Sequence, residues 1–182
     1  MKGNRIYLRA LEPDDYKTSI KWRQDEEIWN MVVGPRYIVS SEYEKKWVLD
    51  TIFSKDKIVL AICLNGSDKY IGNIKLHEID EINRTANISI MLGDKTEWNK
   101  GFAFEAEMLM LRYAFMEKNL NRIGVNILAD NNSSIGLHKK CGYVREGVLR
   151  DAIYKNGKFK DLVVMGLLKR DFIPIYEKYK IL

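Results

Sequence analysis

Residues 98–106, "WNKGFAFEA", place Gly101 and Ala103 where an apolar helical pattern begins, and "TANISIML" at 85–92 alternates like a strand just upstream. A chain that leaves a strand, passes a small-residue turn and enters a helix points several backbone N–H groups at one spot, which attracts phosphate. The net charge of +5 suits an anionic ligand. Cys63 and Cys141 lack metal-ligand spacing, which predicts reduced thiols, a cytoplasmic location and no metal site.

The rest of the chain must supply a fold that holds this loop. With 182 residues, 46% hydrophobic and 30% charged, the sequence predicts one globular domain over 1–182 with ample chain for a core. The longest apolar runs, such as "IVLAICL" at 58–64, fall far short of a membrane span. The first residues carry no apolar stretch of the signal-peptide kind. The lysines are dispersed, and acids interleave them at 25–27, 42–44 and 78–81, so nucleic acid is not an expected partner.

"RIYLRAL" at 5–11 reads as a strand, and Pro13 with acidic neighbours opens a helix through Ile20 and Trp22. An irregular stretch at 32–38 follows. Ser40 and Ser41 then cap a second helix carrying Tyr43, Trp47 and Ile52. Three strands come next, at 57–64, 69–79 and 84–92, separated by "NGSD" and "DEIN" turns. Residues 103–118 form the clearest helix, with Ala106, Leu109, Met110, Tyr113 and Ala114 on one face. A strand at 121–129, a capped helix ended by Gly142 and a long hairpin around Asn156-Gly157 complete the pattern. The order implies a mixed α/β sheet.

With these elements in place, the chain resembles the GNAT superfamily of acetyl-CoA-dependent N-acetyltransferases, in its RimJ/RimL and spermidine acetyltransferase-like branch. The likeness covers nearly the whole chain and rests on "WNKGFAFEA", on "DNNSSIGLHKKCGYVREG" at 130–147 and on "NGKFKDLVVMGLL". It implies a mostly antiparallel central sheet flanked by helices and splayed between the fourth and fifth strands. Gly101 and Ala103 match the family's pyrophosphate loop, while Trp98 takes the place of its Gln or Arg. By resemblance, the N–H groups from Asn99 through Lys100, Gly101, Phe102 and Ala103 to Phe104 face the coenzyme A phosphates, with Lys100 and Lys140 as neighbouring cations. The pantetheine arm is expected in the splayed gap beside Asn131 and Ser134. The thioester carbonyl is expected near the N–H of Met91 or Leu92.

His138 stands where many relatives carry a tyrosine that protonates the departing thiolate, and an imidazole of pKa ~6.5 suits that role. Asn87 stands where a glutamate is frequent, and an amide cannot accept a proton at ordinary pH. Glu78, with His77 beside it, is the substitute base. Cys141 reads as a packed thiol, and Trp22, Trp47 and Trp98 as packed aromatics.

The resemblance implies transfer of acetyl from acetyl-CoA to a primary amine by direct attack. Deprotonating a lysine-like amine of pKa about 10.4 at pH 7 costs about 4.6 kcal/mol, against about 1 kcal/mol for an α-amine of pKa about 7.8. That difference tilts the expectation towards a peptide N-terminus or an amino sugar and away from a polyamine. Glu26, Glu27, Glu42 and Glu44 lie in the region that shapes the acceptor pocket in the family. A binding module that holds coenzyme A without turnover is the rival reading, and the sequence leaves open whether the chain is a homodimer.

Overall fold

The computed structural model describes residues 1–34 and 38–179; positions 35–37, within the irregular stretch expected at 32–38, lie outside the described residues. The strands are β1 (Ile6–Ala10), β2 (Ile58–Leu64), β3 (Tyr70–Asp80), β4 (Thr85–Leu92), β5 (Arg122–Leu128), β6 (Val144–Lys155) and β7 (Lys158–Leu168). The helices are α1 (Tyr16–Gln24), α2 (Glu26–Met31), α3 (Ser41–Ile52), α4 (Phe102–Arg112), α5 (Asn132–Lys140) and α6 (Lys169–Tyr179).

Two of these helices, α2 and α6, go beyond the sequence pattern. The Asp25 backbone is extended, which breaks α1, and its carboxylate caps α2 by accepting from the N–H groups of Glu27 and Ile28 at 2.9 and 3.3 Å. Pro174 sits inside α6 and hides it from propensity, since an interior proline removes a helical hydrogen bond. Tertiary packing overrides that cost: Phe172 is fully buried against the ring of Phe115, 5.1 Å away between centroids. The helix expected over 103–118 ends at Arg112 and widens into a π turn over Tyr113–Glu117.

All seven strands form one sheet in the order β1-β2-β3-β4-β5-β7-β6. Neighbours are antiparallel except β4 and β5, which pair in parallel over only three residues each, Thr85–Asn87 against Arg122–Gly124. Beyond Asn87 the two strands part, as the splayed architecture requires. Side-chain alternation then sorts the core onto two faces. On β2, Ile62 joins the large cluster with Met108, Leu111 and Phe115, while its neighbours Ala61 and Cys63 join Leu11, Trp22 and Ile28 on the other face. Helix α4 is buried on nearly every side from Glu105 to Leu111, so the single apolar stripe expected of it understates its burial. Among the described residues no helix is long and apolar enough to cross a membrane.

Candidate active site

Two clefts open where β4 leaves β5, and both are lined by Val32, Ile90, Met91 and Ser134. The first, of about 400 Å³, runs from Leu92 and Trp98 past Gly101 and Phe104 to Asn131 and Lys140. The second, of about 480 Å³, lies on the α1–α3 side of the sheet among Arg23, Trp47, Lys75, His77, Glu78 and Asn87.

The first cleft is built around the loop before α4. Asn99 and Gly101 both take left-handed backbone, with φ of 61° and 83°. Gly101 is the N-cap residue of α4, and no side chain caps that helix. The N–H groups of its first turn, at Phe102, Ala103 and Phe104, are the donors that a helix leaves for an anion. Ala103, Phe104 and Asn99 line the cleft, as does Lys140, whose ammonium lies 4.2 Å from the Phe104 ring centroid.

Lys100 and Phe102 are held elsewhere. The Lys100 ammonium pairs with Glu97 at 2.9 Å, its carbonyl accepts from Arg5 at 2.8 Å, and the Arg5 guanidinium stacks over Phe102. Arg5 also donates to Glu105, from its backbone N–H at 2.8 Å and its side chain at 3.0 Å. This brace from the residue just before β1 onto the loop was not among the residues singled out in the sequence. Its one signal is an acid, Glu105, inside an apolar helix. Trp98 packs as expected, and its indole N–H also donates to the Leu92 carbonyl at 2.9 Å, tying the end of β4 to the loop.

Asn131 uses both ends of its amide. Its oxygen caps α5 by accepting from the Ser134 N–H at 3.0 Å, and its nitrogen donates to the Met31 carbonyl at 2.9 Å. One turn further along α5, His138 is 1% exposed, yet it lines the second cleft. Its Nδ1 lies 2.7 Å from the Ser134 carbonyl, a contact that fixes a proton on Nδ1, and 3.4 Å from the Ser134 hydroxyl. Its Nε2 faces Glu107 of α4 at 3.6 Å. Glu107 is fully buried and accepts from the Tyr143 hydroxyl at 3.0 Å. Burial pushes the Glu107 carboxyl up, while His138 and Tyr143 pull it back. Among the described residues, His138 Nε2 and Glu107 Oε2 have no hydrogen-bond partner. Buried polar atoms left so are uncommon and point to a role other than packing. Sequence reasoning singled out His138 and missed Glu107.

In the second cleft His77 and Glu78 lie side by side although they are consecutive. A regular strand would send them to opposite faces. Here the β3–β4 register shifts between His77 and Asp80, and Glu78 takes a left-handed φ of 52°. A bulge of this kind re-aims a side chain. The Glu78 carboxylate accepts from the Asn87 amide and stands 3.4 Å from His77 Nδ1, while His77 Nε2 lies 3.0 Å from the Ser89 hydroxyl. The Asn87 side chain in turn covers Gly124, where any Cβ would collide with its oxygen. Burial, and secondarily Lys75, hold the His77 pKa below its ordinary value, so its ring is neutral at pH 7.

Of the four glutamates expected at the acceptor pocket, Glu44 lines this cleft and Glu26, Glu27 and Glu42 are not among its lining. Glu44 is 1% exposed, accepts from Ser19 at 2.6 Å and pairs with Arg23 at 3.1 Å. Trp47, expected in the core, lines the cleft beneath the Arg23 guanidinium at 4.7 Å. Both cysteines are free and buried, and burial raises both thiols, which disfavours a thiolate nucleophile.

Comparison with known proteins agrees with this geometry. The N-acetyltransferase p20 of Bacillus licheniformis, itself uncharacterised, is 31% identical over 170 residues, covering 92% of this chain and 95% of its own length. The spermidine N(1)-acetyltransferase of Vibrio cholerae is 26% identical over 175 residues, covering 94% and 97%. A crystal structure of the Vibrio cholerae spermidine N-acetyltransferase with CoA and spermine superposes with a TM-score of 0.86 at 25% identity, over 93% of this chain and 98% of that one. Residues 5–144 match the acetyltransferase (GNAT) domain model, and the chain belongs to that family of N-acetyltransferases.

Proposed function

We propose that the chain moves the acetyl group of acetyl-CoA onto a primary amine by direct attack, with a peptide N-terminus or an amino sugar as the favoured acceptor. The observation that carries this reading is the meeting of two clefts at Ile90, Met91 and Ser134, one reaching an uncapped helix N-terminus and the other holding a neutral histidine. Acetyl-CoA, when bound, supplies the activated acyl group. The N–H groups of Phe102, Ala103 and Phe104, with Lys140, hold its pyrophosphate. The β5-facing edge of β4 beyond Asn87, which has no strand partner among the described residues, pairs with the amides of its arm. A backbone N–H at Met91 or Leu92 stabilises the oxyanion.

Glu78 beside Nδ1 sets the His77 tautomer, leaving Nε2 to take a proton from the attacking amine as the N–C bond forms. His138 gives its Nδ1 proton to the Ser134 hydroxyl as Ser134 passes its own to the departing thiolate. Nε2 takes up a proton from the Glu107 carboxyl, which burial favours in its protonated form, so the ring stays neutral. The imidazole then keeps Nε2–H towards Glu107. No covalent enzyme intermediate is required.

Because His77 is a weak base, the acceptor must be largely neutral before it attacks. The gap of about 2.6 pKa units between lysine-like and α-amines corresponds to about 3.5 kcal/mol. A second reading, a polyamine acceptor, is favoured by the likeness to spermidine acetyltransferases. Thiol release measured with α-amines, amino sugars and polyamines from pH 5.5 to 9.5 separates the two. The expected result is a best acceptor of low pKa, with kcat/KM rising about tenfold per pH unit below that pKa and a further acid loss, below the ordinary imidazole range, as His77 protonates. Efficient turnover of a polyamine at pH 7, flat to pH 9, would establish the second reading. Tight coenzyme A binding with no thiol release from any amine would leave a binding module.

A further inference from the structure

The second cleft has a charge arrangement that the transferase reading does not use. Its acids are engaged: Glu44 with Ser19 and Arg23, Glu78 with Asn87 and His77. Its cations are not all engaged. Lys75, half-buried on β3 directly opposite Ser89, has no hydrogen-bonded or ion-paired partner among the described residues. Arg23 stacks on Trp47, and the Lys57 ammonium lies 5.8 Å from the same ring.

We infer that the acceptor is an amine joined to an anionic group, a carboxylate or a phosphate, and that Lys75 receives that group. The inference rests on this cleft being the acceptor site. A half-buried ammonium without a partner is a standing electrostatic cost that an incoming anion removes. Burial, then Lys57 and Arg23, already push the Lys75 ammonium towards losing its proton, while Glu78 opposes them. A polyamine would bring further ammonium groups into this surplus, where like charges repel.

Matched substrate pairs test the inference by thiol release: glucosamine 6-phosphate against glucosamine, and an α-amino acid against its amide, with spermidine as the polycation. Rates are compared per free-base amine, so that differences in amine pKa drop out. A charge-assisted contact supports a preference of about 10- to 100-fold for the anionic member of a pair. The pair that shows it tells phosphate from carboxylate. In Lys75→Met that ratio should fall to within about threefold of unity, and in Lys75→Glu it should invert in favour of spermidine. Equal or better use of glucosamine, the amide or spermidine by the wild-type chain overturns the inference and leaves the transferase reading standing. Absence of thiol release with every amine overturns both. The wild-type comparison decides the matter even where a Lys75 variant misfolds.

Discussion

The two clefts are built from different material. The first offers the backbone N–H groups at the start of α4 and is drawn mostly from two short stretches, the loop at 98–104 and the cap and helix at 131–140, closed by residues of α2, Val32 and the end of β4. The second is made of side chains from α1, α3, β2, β3, β4, β5 and α5, together with the residues that follow α2. Backbone recognition constrains residue type locally, because left-handed turns and uncapped helix ends need Gly, Asn and small residues at fixed offsets. Side-chain recognition has no such spacing. The cofactor side therefore leaves a motif, whereas the acceptor side leaves scattered residues that only the fold unites.

The largest effect should come from attacking the backbone cleft alone. Gly101→Glu places a side chain at φ 83°, where L-residues pay roughly 1–2 kcal/mol, and adds a carboxylate where the phosphates belong. Its Cβ would sit 3.3 Å from the Arg5 guanidinium, a tight contact that the flexible end of the Arg5 side chain must relieve by a shift of a few tenths of an ångström. Coenzyme A affinity by calorimetric titration should fall at least ~100-fold while the protein still melts cooperatively. Unchanged affinity in a folded variant would remove the loop from the phosphate site.

A smaller effect, confined to turnover, should follow from the residue that both clefts share through Ser134. His138→Phe removes the proton donor, so kcat should drop roughly 10²-fold with acetyl-CoA affinity nearly intact. The same change leaves Glu107 buried without the ring that faces it, so the melting temperature should also fall. Full turnover in the variant would reduce the Glu107–His138 pair to a structural role, with water protonating the thiolate.

Most of the fold was legible because periodicity, caps and the Asn156-Gly157 turn are local signals; both turn residues are left-handed, with φ of 51° and 79°. Helix α6 was not, since Pro174 opposes it and only packing on Phe115 and the strands supports it. At the candidate site, Gly101 was singled out from the loop pattern, and Asn131, Ser134, His77, Glu78 and His138 from residue type with family likeness. Arg5, Lys75 and Glu107 were not. Arg5 acts on Glu105 and Glu107 on His138 across long sequence separations, and no window along the chain contains both partners. The bulge that turns Glu78 towards His77 also has no signal in "HEIDEIN".

The smallest expected effect sharpens the comparison most, because it concerns the side chain that joins the clefts. Asn131 caps α5 with its oxygen and, through the Met31 carbonyl, holds the end of α2, whose next residue, Val32, lines both clefts. Asn131→Ala removes both contacts. Loss of an N-cap costs about 1 kcal/mol, which lowers the melting temperature of a chain this size by about 2–4 °C. Asn131→Asp keeps an oxygen on the Ser134 N–H but turns a carboxylate oxygen towards the Met31 carbonyl, so it retains the cap and breaks only the link. Most of the melting temperature should then survive, whereas KM for the acceptor should rise several-fold, as in Asn131→Ala, because Val32 and the chain after α2 line the acceptor cleft. Acceptor KM unchanged in Asn131→Asp would mean that the wall of the second cleft is held by other contacts. The Lys155 ammonium, which donates to the Val32 and Gly34 carbonyls, would then be the residue to change next.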